Sequence, residues 1–199
     1  MDNGGHMSSD ETIKKAAIKY AKKHKKTIAK KICNTNLYPK EGNPVSVFMA
    51  GSPGAGKTEA SKALIKELNV NVLRLDVDDL RSEIEGYNGI NSSLYQAGAC
   101  ILLEKCHDIA LSQKQSFILD GTMADYKKAQ LNLTRSLNKG RSVQIFFVYQ
   151  RPDLAWAFVC ARQKIEGRHV PPDVFIEQYL SSRQTVDQLK SELPAIKID

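Results

Sequence analysis

The fold of this chain is decided by one stretch, Val45-Ser46-Val47-Phe48-Met49-Ala50-Gly51-Ser52-Pro53-Gly54-Ala55-Gly56-Lys57-Thr58. Its first six residues form a short, apolar and β-branched run, which predicts a buried strand that ends where a glycine-rich loop begins. The loop satisfies the phosphate-binding pattern G-x-x-x-x-G-K-[ST] and leads into a helical pattern. Such a loop turns backbone N–H groups onto phosphates at the positive end of a helix. We therefore predict an ATP site in which Lys57 reaches the β- and γ-phosphates and Thr58 ligates Mg²⁺.

Strand and helix patterns alternate along the rest of the chain. Besides Val45–Ala50, strands are predicted over 70–77, 116–119 and 143–149, and helices over 10–33, 58–68, 93–113, 125–138, 153–166 and 171–189. Alternation at these lengths implies βαβ crossovers and a parallel sheet covered by helices on both faces. We expect a three-layer α/β fold of the P-loop NTPase or kinase class, with the ligand beyond the carboxyl ends of the strands.

Length and charge divide the chain unevenly. At 199 residues it suits one α/β domain with an appendage. The net charge is +7, and residues 1–33 hold nine Lys against three acidic residues, so the remainder is nearly neutral. The predicted organisation is a disordered or tag-derived start (1–9), a basic helix with its linker (10–44) and a P-loop domain (45–199). No apolar run indicates a membrane span or a secretory signal, so the expected compartment is the cytoplasm.

Acidic residues follow the second predicted strand. Strand alternation sends the aliphatic side chains of residues 73–77 to one face, and Asp76 and Asp78 to the other. A carboxylate beside the phosphate loop can accept a proton from an attacking hydroxyl, and Asp78 is the predicted base because it lies furthest beyond the strand. The alternative is that these acids cap the following helix, a role that suits Asp79 best.

Two further patterns surround the predicted site. The third strand ends in Asp120-Gly121-Thr122, where a carboxylate typically holds the water shell of a metal or orients the substrate. Thr122 fits a substrate contact and a helix N-cap equally well. Arg162 and Arg168 are predicted to sit on a short mobile loop between two helices, which indicates a lid that brings guanidinium groups onto the transferred phosphate. Solvated loop arginines are the alternative.

Together these patterns resemble the zeta-toxin kinases of bacterial toxin–antitoxin systems, over about residues 45–180. The resemblance implies a P-loop kinase that uses ATP and Mg²⁺ to phosphorylate the sugar 3′-hydroxyl of UDP-N-acetylglucosamine, which starves peptidoglycan synthesis. It also implies an antitoxin partner, because inhibitory helices cover the ATP entrance in that family.

The resemblance carries roles to individual positions. It implies phosphate and metal binding by Lys57 and Thr58, a catalytic base at Asp78, and substrate binding or phosphate clamping by Glu104, Thr122, Arg162 and Arg168. Asp76 and Arg81, near the same strand end, are further candidates for substrate contacts. Asp120 stands where many members have Glu, and its shorter reach is expected to alter which sugar or metal geometry fits.

Two other functions remain open from the sequence. The segment Val77–Arg81 also resembles 5′-hydroxyl polynucleotide kinases, so the acceptor could be a polynucleotide or a nucleoside. The basic helix could then hold the phosphate backbone of a nucleic acid, and the affinity of this binding would depend steeply on salt. The nearly neutral domain lacks a basic groove with aromatic residues, which argues against nucleic acid. The third possible function is a regulatory module that binds nucleotide without transferring phosphate. This function is disfavoured by Asp76, Asp78 and the two lid arginines.

The basic helix over 10–33 has three possible uses. It can be a solvated helix that packs a thin apolar stripe on the domain, or it can bind an acidic protein such as an antitoxin, or it can bind nucleic acid or membrane. The first use is favoured, and the stripe consists of Ile13, Ala17, Tyr20, Ile28 and Ile32.

Overall fold

Helices and strands alternate through residues 9–68, 71–166 and 169–199, which the computed structural model describes. In chain order they are α1 (Ser9–Ile32), β1 (Val45–Ala50), α2 (Lys57–Leu68), β2 (Leu73–Asp76), α3 (Val77–Arg81), α4 (Ser92–Ser112), β3 (Phe117–Asp120), α5 (Tyr126–Leu137), β4 (Ser142–Phe147), α6 (Pro152–Glu166), α7 (Pro172–Glu192) and β5 (Lys197–Ile198). Within these ranges, a bilayer could not be crossed by any of the helices, which are too short or too polar.

The strands form one parallel sheet in the order β2-β3-β1-β4-β5. Its central strand β1 is apolar on both faces, with Phe48, Met49 and Ala50 all buried. Burial on both faces is expected of a parallel sheet flanked by helices. The register places Asp76 opposite Asp120, so two strands end in acids at the same edge as the glycine-rich loop. The predicted α/β fold with a parallel sheet is confirmed.

Two elements differ from the sequence prediction. The strand predicted over 70–77 is confined to Leu73–Asp76, and residues 69 and 70 lie outside the described part. The Asp76 side chain accepts a hydrogen bond from the backbone N–H of Asp78 at 2.8 Å, which caps α3 and ends the strand. Asp78 therefore lies in the first turn of a helix, and the cap is Asp76 and not Asp79. The second difference is β5, an unpredicted two-residue strand beside β4.

Helix α1 packs into the main core against α4. Four of its side chains are buried there: Ala17, Ala21, Ile28 and Ala29. Ile13, Tyr20 and Ile32 of the predicted stripe pack at the edge of the same core. The linker is also bound to the domain, because the Gln115 amide donates to the carbonyls of Cys33 at 3.1 Å and Tyr38 at 2.7 Å. The predicted packing of the stripe is thus observed, with Ala21 and Ala29 added to it.

Candidate active site

The glycine-rich loop has a backbone that only glycine accommodates well. Gly51, Gly54 and Gly56 have φ angles of 134°, 74° and 91°, in the region that L side chains rarely adopt. A Cβ at Gly51 would lie 2.3 Å from the carbonyl oxygen of Val148, and one at Gly54 would lie 2.2 Å from that of Ala155. The loop is therefore held tightly between β1, β4 and α6. This rigid turn fits a cradle for phosphate oxygens.

Lys57 directs its charge back over that loop. Its ammonium group donates hydrogen bonds to the carbonyl oxygens of Gly51 at 2.9 Å and Ser52 at 2.6 Å. These bonds place a positive charge at the mouth of the turn, where the N-terminus of α2 adds partial positive charge. A bound triphosphate would find both the lysine and the helix end already positioned.

Thr58 and Asp120 supply the oxygen atoms that Mg²⁺ prefers. The Thr58 hydroxyl donates to Oδ2 of Asp120 at 3.2 Å, and the Asp120 side chain is only 5% exposed. This contact joins the first turn of α2 to the end of β3, and the predicted role of Asp120 in holding a metal or orienting the substrate stays a prediction. The pair fits a magnesium ion that also binds the phosphates.

Asp78 lies between two arginines. Its Oδ1 accepts a hydrogen bond from Nη1 of Arg81 at 2.8 Å, and its Oδ2 lies 3.5 Å from Nη2 of Arg162 on α6. Arg81 is nearly fully buried and also donates to Gln96 of α4. The buried arginine orients the carboxylate, while Arg162, which lies on α6 and not on the predicted loop, brings a second cation.

One cavity of about 640 Å³ joins these groups. The glycine-rich loop, Asp76, Asp78, Asp120, Thr122 and Arg162 all line it, together with apolar side chains that include Leu103, Leu119, Met123, Phe158, Ile165 and Val170. A second cavity of about 440 Å³ adjoins it and shares Thr58, Asp76, Asp78 and Arg162. Of the sequence-predicted residues, those of the glycine-rich loop, Asp76, Asp78, Asp120, Thr122 and Arg162 therefore meet at one cavity, and Arg81 lines the adjoining one.

Thr122 does not cap a helix. The cap of α5 is Asp125, whose side chain accepts from the N–H of Lys128 at 3.0 Å. Thr122 instead lies in the loop after β3, where its carbonyl accepts from the N–H of Gly51 at 3.2 Å. Its hydroxyl accepts from the N–H of Ala124 at 3.4 Å, and the residue lines the cavity. The N-cap alternative is therefore wrong, and the predicted substrate contact stays a prediction.

Glu104, a predicted site residue, is not among the described residues that line the cavity. Glu104 lies behind it on α4, in ion pairs with Lys128 at 3.1 Å and Arg135 at 3.7 Å. Lys128 lines the cavity, so Glu104 reaches it only through this partner. Arg168, the second predicted lid arginine, lies outside the described residues.

Arg74 is a site residue that the sequence analysis did not single out. Its guanidinium contacts Asp76, Asp79 and Asp120 and is largely buried. Burial raises the pKa of the Asp76 carboxyl, as do the negative charges of Asp78 and Asp120, while the charge of Arg74 acts to lower it. The sequence contains a signal for the contact with Asp76, because Arg74 lies on the same face of the strand as Asp76.

The fold and this site define a protein of the P-loop kinase class. The chain belongs to the zeta toxin family, whose sequence model matches residues 28–199. It is 27% identical over 122 residues to Toxin PezT of Streptococcus pneumoniae serotype 4 (strain ATCC BAA-334 / TIGR4). That match covers 57% of this chain and 47% of PezT, so it spans about half the length of this relative. The predicted family is confirmed.

Solved structures agree with this fold. A structure of the PezAT chromosomal toxin–antitoxin system of Streptococcus pneumoniae superposes with a TM-score of 0.69 at 18% identity, over 92% of this chain and 76% of that one. A structure of AvrRxo1-ORF1:-ORF2 with ATP gives a TM-score of 0.63 at 14% identity, over 98% and 65% of the two chains. At these identities the likeness extends to the fold alone.

Proposed function

We propose that this chain is an ATP- and Mg²⁺-dependent kinase of zeta-toxin type that phosphorylates a sugar hydroxyl of a nucleotide sugar such as UDP-N-acetylglucosamine. Its family membership supports the reaction class, and the nucleotide sugar follows the family resemblance. Its place of action is the cytoplasm, where ATP and nucleotide sugars are present together.

One observation carries the proposal: Asp78 lines the same cavity as Lys57 and Thr58. A carboxylate opposite a phosphate cradle can serve as a base only if the acceptor hydroxyl enters between them. The cavity of about 640 Å³ lies within the range of small-molecule sites, and its apolar wall suits the buried parts of such a ligand.

The chemistry follows from this placement. The acceptor oxygen attacks the γ-phosphorus of ATP, the bond from that phosphorus to the bridging β–γ oxygen breaks, and ADP leaves. The proton of the acceptor hydroxyl passes to Asp78. Lys57 and Arg162 stabilise the charge on the transferred group. We propose the same role for Arg168. Thr58 and Asp120 would hold Mg²⁺, which supplies positive charge to the phosphates when bound.

The proposed roles of the remaining residues are narrower. Asp76 fixes the start of α3, and Arg81 orients Asp78 through its bond at 2.8 Å. Thr122 contacts the acceptor from the loop after β3. Glu104 acts on the acceptor through Lys128, its partner at 3.1 Å.

The first prediction tests the reaction directly. The protein is incubated with ATP, Mg²⁺ and a panel of UDP-sugars, nucleosides and 5′-hydroxyl oligonucleotides, and mass spectrometry identifies the acceptor that gains one phosphate. We expect a UDP-sugar to gain it. Because Asp78 removes the proton, Asp78→Asn lowers kcat by about 10²- to 10⁴-fold.

The matched control is Asp153→Asn on α6. Asp153 is an exposed carboxylate paired with Arg151 at 2.8 Å, away from the cavity lining. This variant keeps the turnover of the unmodified protein. Full turnover by Asp78→Asn would contradict the assigned base, and nucleotide binding without any transfer would favour the regulatory module.

The second cavity favours one competing acceptor. Asp78 also lines this cavity, together with the cations Lys62, Arg81 and Arg162 and the carboxylates of Asp76 and Asp79. A polynucleotide 5′-hydroxyl could reach Asp78 through it, with its phosphates near these cations. Phosphate gain by the oligonucleotide in the acceptor panel would identify this function instead.

We also propose an antitoxin partner that covers the cavity. Phe158 and Ile165 of α6 line the cavity and are 51% and 84% exposed. Exposed apolar side chains at the mouth of a site are typical of protein interfaces. A partner helix on this rim would exclude ATP.

A further inference from the structure

Arg74 on β2 contacts both halves of the proposed site. Its Nη2 bonds to Oδ2 of Asp120 at 2.7 Å and to Oδ2 of Asp76, and its Nη1 bonds to Asp79 at 2.6 Å. Its Nε donates to the hydroxyl of Ser61 at 3.1 Å. All three nitrogens of the guanidinium are used, and only 11% of the side chain is exposed.

One side of this network leads to the proposed base. Asp76 caps α3 by accepting from the N–H of Asp78, and Asp79 lies in the first turn of the same helix. Arg74 holds both carboxylates, so it fixes a helix of only five residues at its N-terminal end. A helix this short has little stability of its own, and its orientation depends on such contacts.

The other side leads to the residues proposed for the metal. Oδ2 of Asp120, which accepts from Arg74, also lies 3.2 Å from the Thr58 hydroxyl. Ser61 belongs to α2, the helix that begins with Lys57, and donates to the backbone carbonyl of Thr58 at 3.0 Å. The phosphate side of the site is thereby tied to the same guanidinium.

We propose that Arg74 is a positioning residue that sets helix α3, and with it Asp78, relative to the Thr58–Asp120 pair. The inference rests on the proposed function and adds to it a residue that lies outside both cavity walls. A planar guanidinium can bond to separate carboxylates in fixed directions, whereas a lysine ammonium is a point charge on a flexible stem. The identity of the cation therefore matters, in addition to its charge.

The test compares Arg74→Lys and Asp79→Asn with the unmodified protein. We expect Arg74→Lys to lower kcat by about 10- to 100-fold, as is usual for residues that orient metal ligands. The KM for ATP stays within about threefold, because the glycine-rich loop is untouched. Asp79→Asn leaves Asp120 bound to Arg74 and produces a smaller loss of kcat.

A second measurement does not depend on turnover. Hydrogen exchange of the Asp78 amide reports the bond to Asp76 that caps α3, and we expect it to accelerate at least tenfold in Arg74→Lys. The control is Arg141→Lys at the opposite end of the sheet. Arg141 is also buried and bonds to Ser46 at 2.6 Å, so this variant loses thermal stability while kcat and Asp78 exchange stay unchanged.

Two results would overturn the inference. One is an unchanged exchange rate at Asp78 in Arg74→Lys, and the other is an equal loss of kcat in Arg74→Lys and Arg141→Lys. If the unmodified protein phosphorylates no acceptor in the panel, the proposed function fails. The exchange measurement still decides whether Arg74 holds α3.

Discussion

His107 is a titratable residue that is buried among aromatic rings and lines neither cavity. Its ring centroid lies 5.0 Å from that of Phe117 and 6.2 Å from that of Phe48. Within the described residues, Nε2 has no hydrogen-bond partner, and Nδ1 lies 3.5 Å from a nitrogen of Arg135. Burial, reinforced by the positive charge of Arg135, lowers the pKa of His107 from 6.5 to about 4.

This lowered pKa predicts an acid-sensitive fold. Between pH 6.5 and 4 the unfolded chain takes up a proton at His107 that the folded protein does not, so stability falls as the pH falls. The expected loss from this one group is about 3 kcal/mol by pH 4, and none above pH 7. Urea unfolding of the unmodified protein and of His107→Gln across this range measures it, because the variant lacks the titrating group.

The difference between the two proteins isolates His107 from carboxylates that titrate in both. We expect the free energy of unfolding of His107→Gln, relative to the unmodified protein, to rise by about 3 kcal/mol from pH 7 to pH 4. A difference that does not change with pH would show that His107 takes up its proton equally in both states.

The residues of the glycine-rich loop were predictable from the local sequence, whereas the contact between Arg74 and Asp120 was not. Gly51, Lys57 and Thr58 act through one turn and the helix after it, so their spacing predicts their place. Arg74 acts through Asp120, which lies 46 residues further along the chain. No local sequence pattern predicts that Arg74 and Asp120 are in contact.

Helices α1 and α4 approach each other closely at Gly98. A Cβ at this position would lie 3.0 Å from the carbonyl oxygen of Ala17 and 2.9 Å from Cδ1 of Ile84. Ala17 and Ala21 on the facing helix are small and fully buried. Small residues on both helices allow the backbones to pack against each other, and this contact anchors the basic helix.

We therefore predict that Gly98→Val destabilises the protein by about 1–3 kcal/mol, because the added side chain overpacks the interface. The gain in helix propensity over glycine, below about 1 kcal/mol, is too small to offset this. Thermal unfolding measures the change. Gly42→Val is the control, since a Cβ there meets no atom within 4 Å, and an equal loss in both variants would contradict the packing argument.

The longer elements were predictable, and the two that were missed are short. Apolar periodicity identifies strands and helices that bury a face, such as β1 and α5. Helix α3 has only five residues, and the strand predicted over 70–77 included its first residue, Val77, because the alternation of aliphatic side chains extends to that position. Strand β5 has two residues and exists only because β4 offers it an edge. Neither carries enough sequence to show a period.

The charge of the whole molecule is concentrated on α1. Nine Lys lie on this helix against Asp10 and Glu11, while the complete chain has a net charge of +7. Lys15, Lys19, Lys22, Lys26 and Lys30 follow one another at helical spacing on the face opposite the buried alanines. Like charges three and four residues apart destabilise a helix by roughly 0.2–0.5 kcal/mol per pair. The fold therefore contains a repulsion that packing on α4 overcomes.

This repulsion predicts that salt stabilises the protein. Raising NaCl from about 10 mM to about 1 M shortens the Debye length from about 30 Å to about 3 Å, which screens the lysines from one another. The double variant Lys22→Gln/Lys26→Gln, at two exposed positions, removes the central pairs and should raise Tm at low salt by roughly 2–4 °C. The rise in Tm between low and high NaCl should be smaller for the double variant than for the unmodified protein, by a similar amount. A Tm that falls with NaCl would mean instead that ion pairs such as Lys31–Glu83, at 2.9 Å, outweigh the repulsion.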